Sequence, residues 1–130
     1  MFAFNDHSDV NYLINILPST PSTREILNRE RIQKLKNCTF INVGRGSAIA
    51  NEDVIFGLDN GHFSKAILDV FPVEPLPENE PLWTHPDVVI SPHNSGMAYD
   101  KSTCKFFLRN LELFLAQKDL LALVDTDQGY

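Results

Sequence analysis

Four residue types spaced along one half of the chain are suited to proton and carboxylate chemistry. Arg45 lies between two glycines in Val43-Gly44-Arg45-Gly46, directly after an apolar run, where glycines let the backbone turn sharply and approach a ligand closely. Its planar guanidinium matches a carboxylate in two-point geometry. Asp69 closes a second apolar run, and Glu74 follows in a proline-stiffened loop, Val73-Glu74-Pro75-Leu76-Pro77. His93 comes after a third run and is preceded by Pro92. An imidazole with a carboxylate partner moves protons near neutral pH. Taken singly, each has a plain structural explanation: a surface arginine in a turn, a solvated loop glutamate, a structural histidine. Asp69, at the end of a buried strand, must be hydrogen-bonded to nearby backbone or reserved for a ligand, because an unpaired buried charge is costly. Their order along successive strand ends gives them joint weight.

The elements that must position these residues follow from the apolar pattern. Residues 12–17, 39–43, 65–70 and 88–91 read as short buried strands by length and composition. Between the first two, a hydroxyl- and proline-rich loop, PSTPST, leads to a helix over residues 29–36. Asn28 is its N-cap, Ile32 and Leu35 face inward, and Asn37 closes it. A second helix is expected with Asn51 as cap, Glu52 and Asp53 at its positive end, and Gly61 at its exit. Its inward face is Val54, Ile55 and Leu58. From residue 99 to 117, Cys104, Phe107, Leu108, Leu111, Phe114 and Leu115 recur with helical period. Phe106 and Leu113 lie off that stripe, so this helix is expected to be covered on two sides. Alternation of strand and helix means α/β architecture with a parallel sheet. In open sheets of that kind, sites form at the carboxyl edge of the strands.

Composition narrows the class. With 43% apolar and 22% charged residues in 130, the chain is one ordinary globular domain able to bury a core. A formal net charge of −6 argues against nucleic acid, which needs a basic patch. The loose cluster Arg29, Arg31, Lys34 and Lys36 reads as a solvated helix face. Cys38 and Cys104 have no metal-binding or redox spacing, so no metal site is expected and both are read as buried small hydrophobes in a reducing compartment. His7, His62 and His85 show no partner pattern and read as surface residues. The first residues lack a secretory pattern, and no apolar run reaches the ~18 residues of a membrane span. A cytoplasmic protein without a membrane partner is expected.

Three segments, ILPSTPSTREILN, FINVGRGSAIANEDVIFGLDNGHFSKAILDVFPVEPLP and PLWTHPDVVISPHNSG, together resemble the D-isomer-specific 2-hydroxyacid dehydrogenases, in the second half of their NAD-binding domain. The phrase PLWTHPDVVISPH and the ending look most similar to the glyoxylate/hydroxypyruvate reductase A branch. The resemblance implies the second half of a Rossmann-type doubly wound parallel sheet, about four strands, plus a long C-terminal helix. It implies reduction of a small 2-oxo acid, or oxidation of the 2-hydroxy acid, by hydride transfer with NAD or NADP, the branch favouring NADPH. Arg45 then grips the substrate carboxylate, His93 donates the proton, and Glu74 orients the imidazole and favours its charged form. Leu17, Pro18, Val43, Asp69 and Gly96 match positions along the cofactor. The family's glycine-rich phosphate loop and most of its substrate domain have no counterpart here, so residues 1–130 are expected to be a partial NAD(P)-binding domain. The complete enzyme is expected to be a homodimer. The alternative is a non-catalytic half-Rossmann module that binds or oligomerises through a bare strand edge.

Overall fold

A computed structural model describes residues 9–96 and 99–129. The chain divides into two compact units, residues 1–95 and 96–130. His7 lies outside the described residues.

The first unit holds a parallel four-stranded sheet in sequential order: β1 (Tyr12–Asn15), β2 (Cys38–Asn42), β3 (Phe63–Leu68) and β4 (Val88–Ile90). Two helices, α1 (Arg29–Ile32) and α2 (Asn51–Asp59), occupy the first two crossovers. Register sets the faces, because side chains alternate along a strand. Leu13, Phe40, Ala66 and Val88 share one row, and Ile14, Ile41, Ile67 and Val89 share a row of opposite parity. The first row joins the core with Ile32 and Leu35 from the α1 region and Val54 and Leu58 from α2. Phe40 stacks on Phe63 with centroids 5.1 Å apart, and both rings are buried. The other row ends in exposed Ile14 and Val89.

Several element limits differ from expectation, each for a local reason. β1 stops at Asn15 instead of residue 17, because Asn15 Oδ1 accepts from the Leu17 N–H at 3.2 Å and turns the chain out of the ladder. β3 begins two residues early, where Phe63 pairs with Cys38 across a register shift. α1 has only four residues, since Lys34 and Leu35 bond back three residues rather than four. Asn28 does cap it, its side chain accepting from Arg31 N–H, and Asn37 closes the segment at φ 53°. The cap of α2 is Ala50, without a side-chain bond, so Asn51 is the first helical residue rather than the cap.

The half-buried His62 and His85 have partners, contrary to the surface reading. His62 Nδ1 lies 3.0 Å from Leu35 O and its ring stacks on Phe56; His85 Nε2 lies 3.4 Å from Asp59 Oδ1. In the basic cluster, Arg29 Nε pairs with Asp53 at 2.7 Å and Lys34 with Glu30 at 3.5 Å.

The second unit is built on α3 (Asp100–Leu115). Its apolar stripe is present, but none of its residues is buried, so the expected cover on two sides is not found. Cys104 is exposed and only Cys38 is buried, correcting the reading of both as core. No helix among the described residues is long and apolar enough to cross a membrane.

Because Phe40 is fully buried against Phe63, Phe40→Ala should lower unfolding free energy by about 3–5 kcal/mol. Urea unfolding measures this, and a loss below about 1 kcal/mol would contradict the packing described.

Candidate functional site

Parallel pairing puts the carboxyl ends of all four strands on one edge, and each strand hands a loop to that edge, His93 lying on the one after β4. The loop after β2 carries Gly44-Arg45-Gly46, with Arg45 in extended backbone at the start of a short 3₁₀ turn, Gly46–Ala48. Arg45 Nη1 donates to the Gly44 carbonyl at 2.8 Å. The two glycines let this loop approach other protein backbone, rather than a ligand. A Cβ at Gly44 would lie 2.9 Å from backbone atoms of Ile16 and Leu17, and one at Gly46 would lie 1.9 Å from Phe71 C. The arginine loop is thereby wedged between the exits of β1 and β3, where no side chain larger than hydrogen fits.

The loop after β3 brings Glu74 round so that Oε1 accepts from the Phe71 N–H at 2.9 Å. Oε2 lies 2.8 Å from His93 Nδ1. The Phe71 amide first, and then His93, hold the Glu74 carboxyl below the ordinary glutamate range, so it is an ionised acceptor. With Nδ1 committed to Glu74, Nε2 is the nitrogen left to exchange a proton. His93 sits at φ 50°, a left-handed conformation that a non-glycine residue holds at a cost of about 1–3 kcal/mol.

Asp69 supplies what holds that turn. It is buried directly after β3, and each carboxylate oxygen takes two hydrogen bonds. Oδ1 accepts from Ser91 Oγ at 2.5 Å and Asn94 N at 3.0 Å; Oδ2 accepts from Ser95 Oγ at 2.6 Å and Ser95 N at 3.0 Å. Of the two possibilities left open for Asp69, the structure has the hydrogen-bonded one. Burial pushes its pKa up, but these four bonds outweigh burial and hold the carboxyl well below the usual range. The bonds bracket His93 on both sides, so Asp69 clamps the histidine turn to the strand before it.

Arg45, Glu74 and His93 line one cleft of about 300 Å³ together with Ser19, Ser47 and Phe71. A second cleft of about 640 Å³ shares Glu74 and His93 and is bounded by Leu76, Trp83, Ile90 and Pro92. The positions matched to a cofactor distribute as follows. Half-buried Leu17 and exposed Pro18 follow β1, half-buried Val43 follows β2, and Asp69 follows β3. All four acceptor positions of Asp69 are filled from the loop after β4, by Ser91, Asn94 and Ser95. Gly96 opens the second unit, with open space where a Cβ would be. Ser19 and Ser47, hydrogen-bonded to each other at 2.8 Å, and the buried pair Asn15 and Asn42 belong to the site region but were not singled out from sequence. A signal for the asparagines did exist: each interrupts an apolar strand three residues before the loop residue that matters.

The clamp on Asp69 has a pH signature. The folded carboxylate stays ionised below the range in which an unfolded aspartate protonates, so the unfolded chain takes up the proton first. That stability is present above the unfolded pKa and falls as pH drops below about 4. Thermal unfolding followed from neutral to acid pH should show this fall, and Asp69→Asn should be less stable at neutral pH with a shallower acid limb. Equal acid slopes in the two proteins would count against the clamp.

Residues 6–95 match the family model described as D-isomer specific 2-hydroxyacid dehydrogenase, NAD binding domain. The chain is 39% identical over 126 residues to an uncharacterized protein in the proB 3' region of Corynebacterium melassecola, covering 95% of this chain and 41% of that one. A D-isomer specific 2-hydroxyacid dehydrogenase from Xanthobacter autotrophicus Py2, solved with NADPH and MES, superposes with TM-score 0.88 at 36% identity, over 92% of this chain and 50% of that one. An NADPH-dependent glyoxylate/hydroxypyruvate reductase from Sinorhizobium meliloti, solved with NADP and sulfate, gives TM-score 0.88 at 31% identity, over 95% and 41%. The chain thus spans between two fifths and half the length of these relatives. With the parallel half-sheet and the matched segment in agreement, the chain belongs to the D-isomer-specific 2-hydroxyacid dehydrogenase family, through its NAD-binding domain.

Proposed function

We propose that this chain carries the proton-donating and carboxylate-binding half of an NAD(P)-dependent reductase acting on small 2-oxo acids of the glyoxylate and hydroxypyruvate type. The observation that supports it most is the meeting of Arg45, Glu74 and His93 at one small cleft, with His93 Nδ1 2.8 Å from Glu74. Arg45 binds the substrate carboxylate and draws electron density from the adjacent carbonyl. His93 Nε2 gives its proton to the carbonyl oxygen as charge builds there, leaving a neutral imidazole. Glu74 keeps the ring aimed. Leu17, Pro18 and Val43 would bed the nicotinamide, which when bound supplies the hydride to the carbonyl carbon. The relatives solved with NADPH or NADP favour NADPH as the cofactor.

Mixing the purified chain with NADPH and glyoxylate or hydroxypyruvate and following NADPH absorbance tests the reading. His93→Gln should lower kcat by about 10²–10⁴-fold. Arg45→Gln should raise KM more than it lowers kcat, because the carboxylate is bound before and during the transfer. Absence of turnover in the unmodified chain would end the case for catalysis by these residues alone and leave family membership untouched.

One observation favours a second reading, a non-catalytic module that pairs through its sheet. β1 is an edge strand, and Tyr12 and Ile14 on it and Ile16 just after it are exposed. Light scattering distinguishes this: concentration-dependent dimers support it, and a folded, strictly monomeric chain opposes it.

A further inference from the structure

β1 and β2 end on the same residue type at the same register position, Asn15 opposite Asn42. Both side chains are buried, Asn15 at 5% and Asn42 at 1% exposure, in the same row of the sheet as Leu68 and Ile90. A leucine or valine would suit that row better, because a buried amide must find partners for both its oxygen and its nitrogen. These two find them in a connected set. Asn15 Oδ1 accepts from Leu17 N–H at 3.2 Å, and Asn42 Oδ1 accepts from Gly44 N–H at 3.3 Å, so each closes its own strand end with a turn two residues long. Asn15 Nδ2 donates to Asn42 Oδ1 at 2.8 Å, tying one turn to the other. Both Nδ2 groups also face the Arg45 carbonyl, at 3.5 Å from Asn15 and 3.4 Å from Asn42.

The set therefore grips the Gly44-Arg45 backbone at two places, the Gly44 amide and the Arg45 carbonyl. The carbonyl between them, that of Gly44, is the one that receives the Arg45 guanidinium. The same set fixes the exit of β1, whose next residues lead to Ser19, which also lines the cleft and meets Ser47 of the arginine loop at 2.8 Å. We propose that Asn15 and Asn42 are positioning residues: a buried amide pair that sets the direction of the Arg45 side chain and the width of the cleft it lines. This deepens the reading of Arg45 as the carboxylate anchor and rests on it.

A positioning role and a merely structural one diverge in a single variant. Asn15→Leu removes the tie between the two turns and one of the two amides facing the Arg45 carbonyl, so the restraint on Arg45 loosens, at a modest cost in stability because the Leu17 N–H loses its acceptor. The measurement is NMR of the ¹⁵N-labelled chain, reading the heteronuclear NOE of the Arg45 Nε–H and its shift on titration with oxamate, the amide isostere of a small 2-oxo acid. The wild-type side chain should be ordered and should respond saturably. In Asn15→Leu the Arg45 NOE should fall towards that of a free side chain and oxamate should bind about tenfold more weakly. The amides of Phe63 and Leu68 should be unchanged. Asn42→Asp, which keeps the acceptors but loses the donor to the Arg45 carbonyl, should act in the same direction and serves if the leucine variant does not fold. A folded variant whose Arg45 NOE and oxamate affinity match the wild type would overturn the proposal. Failure of the wild type itself to bind oxamate would instead overturn Arg45 as carboxylate anchor, and the NOE comparison would still decide whether the asparagines position it.

Discussion

The 2.8 Å contact between His93 Nδ1 and Glu74 Oε2 joins loops that leave two different strands, and the chemistry available to the cleft depends on it. A carboxylate that has given one oxygen to the Phe71 amide has only the other to offer, so the imidazole meets a fixed acceptor. The ring must in turn be delivered from a left-handed turn, which is unfavourable for histidine unless its surroundings enforce it. Asp69 provides that enforcement with four hydrogen bonds from residues on either side of the ring. A similar arrangement serves Arg45, where two glycines and two asparagines fix the backbone from which the guanidinium leaves. In both places a buried polar group at a strand end holds the loop, and the candidate side chain itself, Arg45 or His93, is exposed.

Much of this was legible in the sequence because the sheet is parallel. Apolar runs of strand length alternating with helical segments leave little choice of architecture, and parallel strands expose all their carboxyl ends on one edge. The order of Arg45, Glu74 and His93 on successive loops therefore carried spatial meaning. What sequence concealed were groups whose role depends on register. Asn15 and Asn42 look like interruptions of apolar runs until pairing sets them opposite one another. Gly44 and Gly46 suggested room for a ligand, yet the space they spare is taken by the backbone of neighbouring loops. His62 and His85 acquire partners from segments more than twenty residues away, which no local pattern reveals. The helix α3 shows the reverse error, since its periodic stripe was read as buried and none of its residues is.

Membership of the dehydrogenase family and possession of a working site are separate matters in a chain that spans two fifths to half of its relatives. The first unit has a closed core: Phe40, Phe63, Ile32, Leu68 and Val54 are all but inaccessible, and the residues around the cleft are braced by bonds within that unit. The bonds that hold Arg45, Glu74 and His93 at the cleft thus lie within this unit. The apolar row Ile14, Ile41, Ile67 and Val89 marks where this unit has less cover than a doubly wound sheet normally receives.

The tautomer of His93 tests the central interaction most directly. Long-range ¹H–¹⁵N spectra of the imidazole, recorded where the ring is neutral, separate a proton on Nδ1 from one on Nε2. The account predicts the Nδ1-protonated form in the wild type and a return to the Nε2-protonated form usual in solution when Glu74→Leu removes the acceptor. An Nε2-protonated ring in the wild type, unaltered by that substitution, would contradict it.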